Sequence, residues 1–171
     1  FGDDHGWVGI SHCAVFDDGK GNWYYASQQR FPENYKGNAN SNALMLGGVR
    51  SIIWTSDGWP LVLPERYAGI TQKAITETEL LGDWQHINLA YHYKKQDASV
   101  VMTLGNDHKV KSGWKAGKAW TFDASKNVLT IDNERFYLRR ELDWEANPRK
   151  ETIVYVGLSK DAKTTYWGKK V

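Results

Sequence analysis

The sequence predicts an all-β protein, and three observations carry that expectation. Short runs rich in β-branched and aromatic residues recur along the chain, Gly, Asn, Asp and Pro separate them, and helical periodicity is almost absent. In residues 1–70, strands are expected near Ser11–Phe16, Trp23–Gln28, Leu44–Trp54 and Leu61–Leu63. The turns between them are marked by Asp17-Asp18-Gly19-Lys20-Gly21-Asn22, by the Asn/Gly/Ser-rich stretch Asn34–Asn42 and by Asp57-Gly58. Four antiparallel strands fit one propeller blade. A lone sheet of this size cannot bury both faces and leaves two open edges, so this part is expected to need neighbours.

Residues 71–171 read as a second β unit. Strands are expected at Trp84–Tyr93, Ser99–Leu104, Ala119–Phe122, Val128–Ile131, Phe136–Leu142, Thr152–Leu158 and Thr164–Gly168. The alternation of Ile87, Leu89, Tyr91 and Tyr93, and of Val100, Met102 and Leu104, gives each of those strands one buried face. A small closed barrel or a sandwich follows. Between the two units, Thr76-Glu77-Thr78-Glu79 before Leu80-Leu81 is a capping-box pattern that suits a single helical turn. The boundary is placed near Ile70.

Composition narrows the function. With 171 residues and 41% hydrophobic content the chain can build a core. Nine Trp and nine Tyr exceed what that core needs; such flat amphipathic rings stack on sugars or partner proteins, and they also suit sheet packing. The net charge is +2, with five basic and seven acidic side chains in residues 1–70 against seventeen and thirteen in residues 71–171. That surplus is too small and scattered to track phosphates, so nucleic acid is not an expected partner. A single cysteine, Cys13, excludes an internal disulfide framework, and no Cys/His cluster has zinc-site spacing. No apolar run approaches the ~20 residues that span a bilayer, and no membrane partner is expected. No signal segment stands at the start, and the chain begins at Phe1, as expected of a processed chain or fragment.

Few residues could carry chemistry. Strand alternation in Ile10–Phe16 places His12 on one face with Ala14 and Phe16, and Cys13 on the other, which disfavours a Cys–His dyad. The pattern alone favours a structural histidine over a metal ligand or an acid–base group. Asp17, Asp18 and Asn22 suit a hairpin turn better than a calcium loop, whose twelfth-position Glu is missing. Asp143 and Glu145, two apart, could face one way like an inverting carboxylate pair. Arg139, Arg140, Arg149 and Lys150 nearby would keep both ionised, so a solvated ion-pair network is expected. There is no GxSxG elbow, glycine-rich phosphate loop or HExxH, hence no complete active site.

The run from Gly48 to Tyr67, with Trp54-Thr55-Ser56-Asp57-Gly58-Trp59-Pro60 at its centre, resembles the closing blade of family 43 endo-α-1,5-arabinanases. His12-Cys13-Ala14-Val15-Phe16 followed by Gly21-Asn22-Trp23-Tyr24-Tyr25 is similar to the same family's fifth-blade strands, with Cys13 where Asn or another small polar residue is expected. Gly82-Asp83-Trp84, Leu142-Asp143-Trp144-Glu145 and Tyr166-Trp167-Gly168-Lys169-Lys170 resemble the lipocalin-like barrel that follows the propeller in the larger bacterial members. The resemblance implies an all-β chain made of the last blade of a five-bladed β-propeller, residues 1–70, followed by a small lipocalin-like antiparallel β-barrel, residues 71–171. It implies an extracellular, secreted enzyme that hydrolyses arabinan with inversion, using one Asp as base, one Glu as acid and a further Asp, all on earlier blades. No catalytic residue is therefore expected here. His12 matches the histidine that helps hold one calcium ion at the propeller centre, shared with the missing blades, and Arg50 or Trp54 could line the channel. The N-terminal catalytic portion, as a separate or nicked chain, is the implied partner. The alternative is a carbohydrate-binding or purely structural barrel; in the first case Trp114, Trp120, Trp144 or Trp167 would form the stacking platform.

Overall fold

The computed structural model describes residues 8–89 and 97–171. The chain forms two antiparallel sheets. The first contains β1 (Val8–Asp17), β2 (Trp23–Arg30), β3 (Met45–Trp54) and β4 (Pro60–Val62), each hydrogen-bonded to the next in chain order. The β1–β2 turn is tied by Asp18, whose carboxylate accepts from the backbone N–H of Lys20 and Asn22 and from the Asn22 side chain. That is the hairpin chemistry of an Asx turn, as expected. Two single 3-10 turns, Tyr35–Gly37 and Ser41–Ala43, occupy the Asn/Gly-rich connection to β3.

A one-turn helix, α1 (Glu77–Leu80), follows. Glu79 accepts from the Thr76 backbone N–H at 2.9 Å and also takes the Arg140 guanidinium at 2.9 Å, so the capping carboxylate fastens the helix to the second sheet. That sheet contains β5 (Gly82–Asn88), β6 (Val100–Leu104), β7 (Val110–Ser112), β8 (Trp120–Asp123), β9 (Val128–Ile131), β10 (Glu134–Asp143), β11 (Lys150–Leu158) and β12 (Thr165–Lys170). Its order is β7-β6-β5-β12-β11-β10-β9-β8. The two ends meet: Lys109 bridges Ala119, and the N–H groups of Val110 and Trp120 donate to the carbonyls of Lys118 and His108, each at 2.9 Å. The result is an almost closed eight-stranded barrel, and closure removes the edges that an open sandwich would leave.

The inward alternation fills this barrel. Trp84 from β5, Met102 and Leu104 from β6, Leu129 and Ile131 from β9, Phe136 from β10 and Tyr155 from β11 are fully or almost fully buried together. Met102 and Leu104 point inward as expected, whereas Val100, at the start of β6, is exposed. Leu89 is half-buried; Tyr91 and Tyr93 lie outside the described residues. Tyr155 sits opposite Gly168 on β12, and a Cβ there would fall 2.0 Å from Tyr155 Cζ. Only glycine lets the tyrosine ring lie across that strand.

A second apolar cluster joins the sheets. Leu61 and Leu63 from the end of the first sheet pack with Val154 and Val156 of β11, flanked by Ile53, Tyr137 and Leu158. The outside of the barrel thus covers part of the four-stranded sheet. On β1 and at the start of β3 nothing comparable happens: Val15, Phe16 and Met45 are 55%, 44% and 58% exposed.

Candidate functional site

His12 does not sit in a plain strand. Its φ is 46°, and between the pairs Ser11–Gln28 and Ala14–Ala26 the β1 strand carries an extra residue, a bulge that re-aims the side chain. The regular alternation expected there is broken. His12 and Ala14 line one shallow depression with Ala26, Gln28, Gly47 and Val49, whereas Cys13 reaches the Tyr25 side chain, so no Cys–His dyad forms. His12 is exposed, with the Ser11 hydroxyl 3.4 Å from Nδ1. Among the described residues no three His, Cys, Asp or Glu side chains gather to hold a metal ion. Calcium takes six to eight oxygen ligands, so an imidazole at this place fits as a partner of a calcium-bound water, with the oxygens supplied from elsewhere.

The other candidates group at the seam between the sheets. Arg50 turns there, its Nε donating to the Pro64 carbonyl and its Nη2 to Gln29 Oε1, both at 3.2 Å. Trp54 does not join it; its exposed ring stands edge-on to Trp23 at 5.5 Å. Asp143 and Glu145 are held by one cation. Lys169 Nζ lies 3.0 Å from Asp143 and 2.6 Å from Glu145. The ion pairing was expected, but the partner is Lys169 on β12, not the nearby arginines, and Asp143 is buried rather than solvated. Burial works to raise the Asp143 pKa, yet Lys169 and the N–H groups of Glu145 and Ala146 outweigh it and hold the carboxyl below its ordinary range. Asp143 is therefore not an acid with a raised pKa. Arg139 pairs with Glu141, and Arg140 with Glu79 and Glu151.

Glu65 is the residue that sequence reasoning passed over. It is 8% exposed, its Oε1 accepts from the Trp167 indole N–H, and burial pushes its pKa up to about 7. Glu141 is buried close by, and its pKa is also raised by burial, against the opposing Arg139. The available signal was a carboxylate set between Pro64 and Arg66 directly after the apolar run Leu61-Val62-Leu63. A charge that follows an inward-facing strand end without a break is placed where water is scarce. Glu65, Arg50, Asp143, Trp167 and Lys169 line a cleft of about 240 Å³ between blade and barrel.

The four tryptophans of the stacking-platform reading do not share a surface. Trp120 is buried, donating to the Gly105 carbonyl, and Trp114 stacks on His86 at 4.1 Å in the barrel interior. Trp144 carries the guanidiniums of Arg66 and Arg149 over its ring, 4.1 and 4.7 Å from the centre, and Trp167 is bound to Glu65. Cations already lie over the Trp144 ring.

Three comparisons place this architecture. The chain is 26% identical over 174 residues to the extracellular endo-alpha-(1->5)-L-arabinanase 2 of Bacillus subtilis (strain 168), covering 96% of this chain and 34% of that protein. The crystal structure of an endo-1,5-alpha-L-arabinanase from Thermotoga petrophila RKU-1 matches 96% of the chain with a TM-score of 0.71 at 21% identity, and 36% of its own length is covered. A family 43 glycoside hydrolase from Bacillus licheniformis gives 0.67 at 20% identity, again over 96% and 36%. The chain thus spans about a third of the length of each of these relatives. Residues 64–168 match the family model of the C-terminal lipocalin-like domain, GH43_C, and the chain belongs to that family of barrels from family 43 glycoside hydrolases.

Proposed function

We propose that this chain completes the five-bladed propeller of an extracellular, inverting arabinan hydrolase, with β1–β4 as the last blade and the barrel as its cover. The observation that carries this reading is the contrast in closure. The barrel's two ends are bonded to each other, while β1 ends its sheet with no further strand beside it among the described residues and with Val15 and Phe16 in solvent. An open, apolar strand edge of this kind is stable in water when another sheet covers it. The arabinanase relatives, about three times as long, supply the natural source of that cover.

In this reading the hydrolytic carboxylates belong to the N-terminal catalytic portion, as a separate or nicked chain. This chain contributes structure and His12. The open depression beside Ala14 and Val49 leaves His12 free to hydrogen-bond a water held by a calcium ion at the propeller centre. When bound, such an ion would orient water and polarise groups near the substrate. His12 would fix the position of that water through its ring nitrogens. The apolar seam of Leu61, Leu63, Val154 and Val156 supports a structural role for the barrel.

The test is reconstitution. Mixing the N-terminal portion with this chain is expected to restore hydrolysis of linear arabinan that the N-terminal portion lacks alone; equal activity with and without this chain would remove the proposal. His12→Ala should lower the calcium content of the assembled enzyme, and unchanged calcium would return His12 to a structural place.

A further inference from the structure

We infer that the cleft at the blade–barrel seam is a binding site for one neutral, polyhydroxylated ring, a saccharide unit. Its lining holds hydrogen-bonding capacity that the protein itself does not use. Glu65 Oε2 and Arg50 Nη1 are both buried and have no hydrogen-bond partner, although Oε1 and Nη2 of the same groups do. Arg50 Nη1 is a donor, and Glu65 Oε2 accepts when ionised and donates when protonated. A hydroxyl both donates and accepts, so neighbouring hydroxyls on one ring satisfy the pair in either state of Glu65, whereas an amine would meet the Arg50 cation.

Charge points the same way. Arg50, Arg66 and Lys169 face Glu65, Asp143 and Glu145 across the cleft, three cations against three carboxylates. Lys169 is already committed to Asp143 and Glu145. Arg50 and Glu65 are in no ion pair among the described residues, and they act on each other with opposite sign, so an anion drawn to Arg50 also meets Glu65, and a cation the reverse. The remaining wall is apolar, from Pro64, Leu142 and the ring of Trp167, and it suits the C–H face of a sugar. Small-molecule pockets of roughly 300 Å³ and more take drug-sized ligands; at about 240 Å³ the cleft takes one ring. A cluster of ordered waters is the competing occupant, because water also donates and accepts.

Titration of the protein with L-arabinose, D-galactose, D-xylose and linear arabinotriose, followed through its indole N–H signals by NMR, separates the two. The choice of arabinotriose rests on the function proposed above, while the monosaccharides test the cleft whatever that function is. At least one sugar should move the Trp167 indole N–H in a saturable way, leaving the Trp120 signal still. Glu65→Gln and Arg50→Gln should each weaken this binding by about tenfold or more. Leu142→Trp, which fills the cleft without removing a buried partner, should abolish it even if the first two variants fold poorly. No shift of Trp167 with any of the four sugars overturns the inference and leaves water as the occupant. A shift that survives Leu142→Trp also overturns it, by placing the binding elsewhere.

Discussion

The barrel and the blade use the same antiparallel pairing and end with different degrees of completeness. In the barrel, Trp84, Met102, Leu129, Phe136 and Tyr155 are sealed, and the two end strands, β7 and β8, are bridged to each other through Lys109 and Ala119. In the blade the apolar core is smaller, with Leu61 and Leu63 buried where the barrel touches them and Tyr24 and Ile52 also buried, while β1 keeps Val15 and Phe16 in solvent. Sequence alternation alone does not make a closed core. Closure does, and an unclosed sheet borrows its core from whatever lies beside it. The sharpest way to break this comparison is Phe136→Ala. Emptying the barrel centre should cost about 3–5 kcal/mol in denaturant unfolding. A loss below about 1 kcal/mol would mean that the barrel interior is not the stabilising unit.

Next in size is Gly168→Ala. The new methyl meets the Tyr155 ring, so either the ring or the strand must shift, at roughly 1–3 kcal/mol. Tyr155 also holds His86, with its hydroxyl 2.6 Å from Nδ1, while Nε2 faces Asn88 Oδ1 at 3.2 Å. The amide oxygen can only accept, so Nε2 carries the proton and Nδ1 accepts from Tyr155. Displacing that ring should move the His86 resonances as well as the melting temperature. A melting point that falls with His86 unmoved would count against the ring contact as the cause.

Much of this was legible in the chain itself. The apolar alternation of Met102 and Leu104, the strand start at Trp23 and the capping box at Thr76 each announce a local structure that forms as expected. Strand β7 was not legible: three residues between Asp107-His108 and Gly113 are too few to show a period, and they become a strand because β6 and β8 flank them. The bulge at His12 is equally silent in sequence, since no glycine or proline marks it. Lys169 as the partner of Asp143 and Glu145 depends on β12 crossing to β11, a tertiary fact. The burial of Glu65 against Trp167, a residue more than a hundred positions on, is a tertiary fact of the same kind.

Protonation separates seam from barrel interior. Glu65 at the seam has its pKa raised from 4.5 to about 7, so the folded state binds a proton that the unfolded state releases. Its contribution to stability is present at low pH and lost as pH rises through that window. His86 in the barrel has its pKa lowered by burial from 6.5 to about 4, against the opposing Asn88 contact, so its contribution is lost as pH falls from 6.5 to 4. Each group commands up to about 1.4 kcal/mol per pH unit, and between 4.5 and 6.5 the two oppose each other. Glu65→Gln should therefore uncover a stability that rises with pH across that interval, measured by urea unfolding at a series of pH values. The same slope in variant and parent would show that Glu65 is not titrating in the seam.

The smallest effect on this chain should come from Val15→Asp on β1. The side chain is more than half exposed, so the substitution should change unfolding stability by no more than about 0.5 kcal/mol. If β1 is the edge that meets another blade, the same change buries a charge without a partner there, and such a charge is among the costliest groups to desolvate. Association with the N-terminal portion, read by light scattering or co-purification, should then weaken by tenfold or more, about 1.4 kcal/mol. Phe136→Ala would have struck the chain's own stability; Val15→Asp should spare it and strike the assembly. Association unchanged by Val15→Asp would mean that the open edge of the blade faces solvent in the working protein, and the contrast between a closed barrel and an unfinished blade would lose its functional meaning.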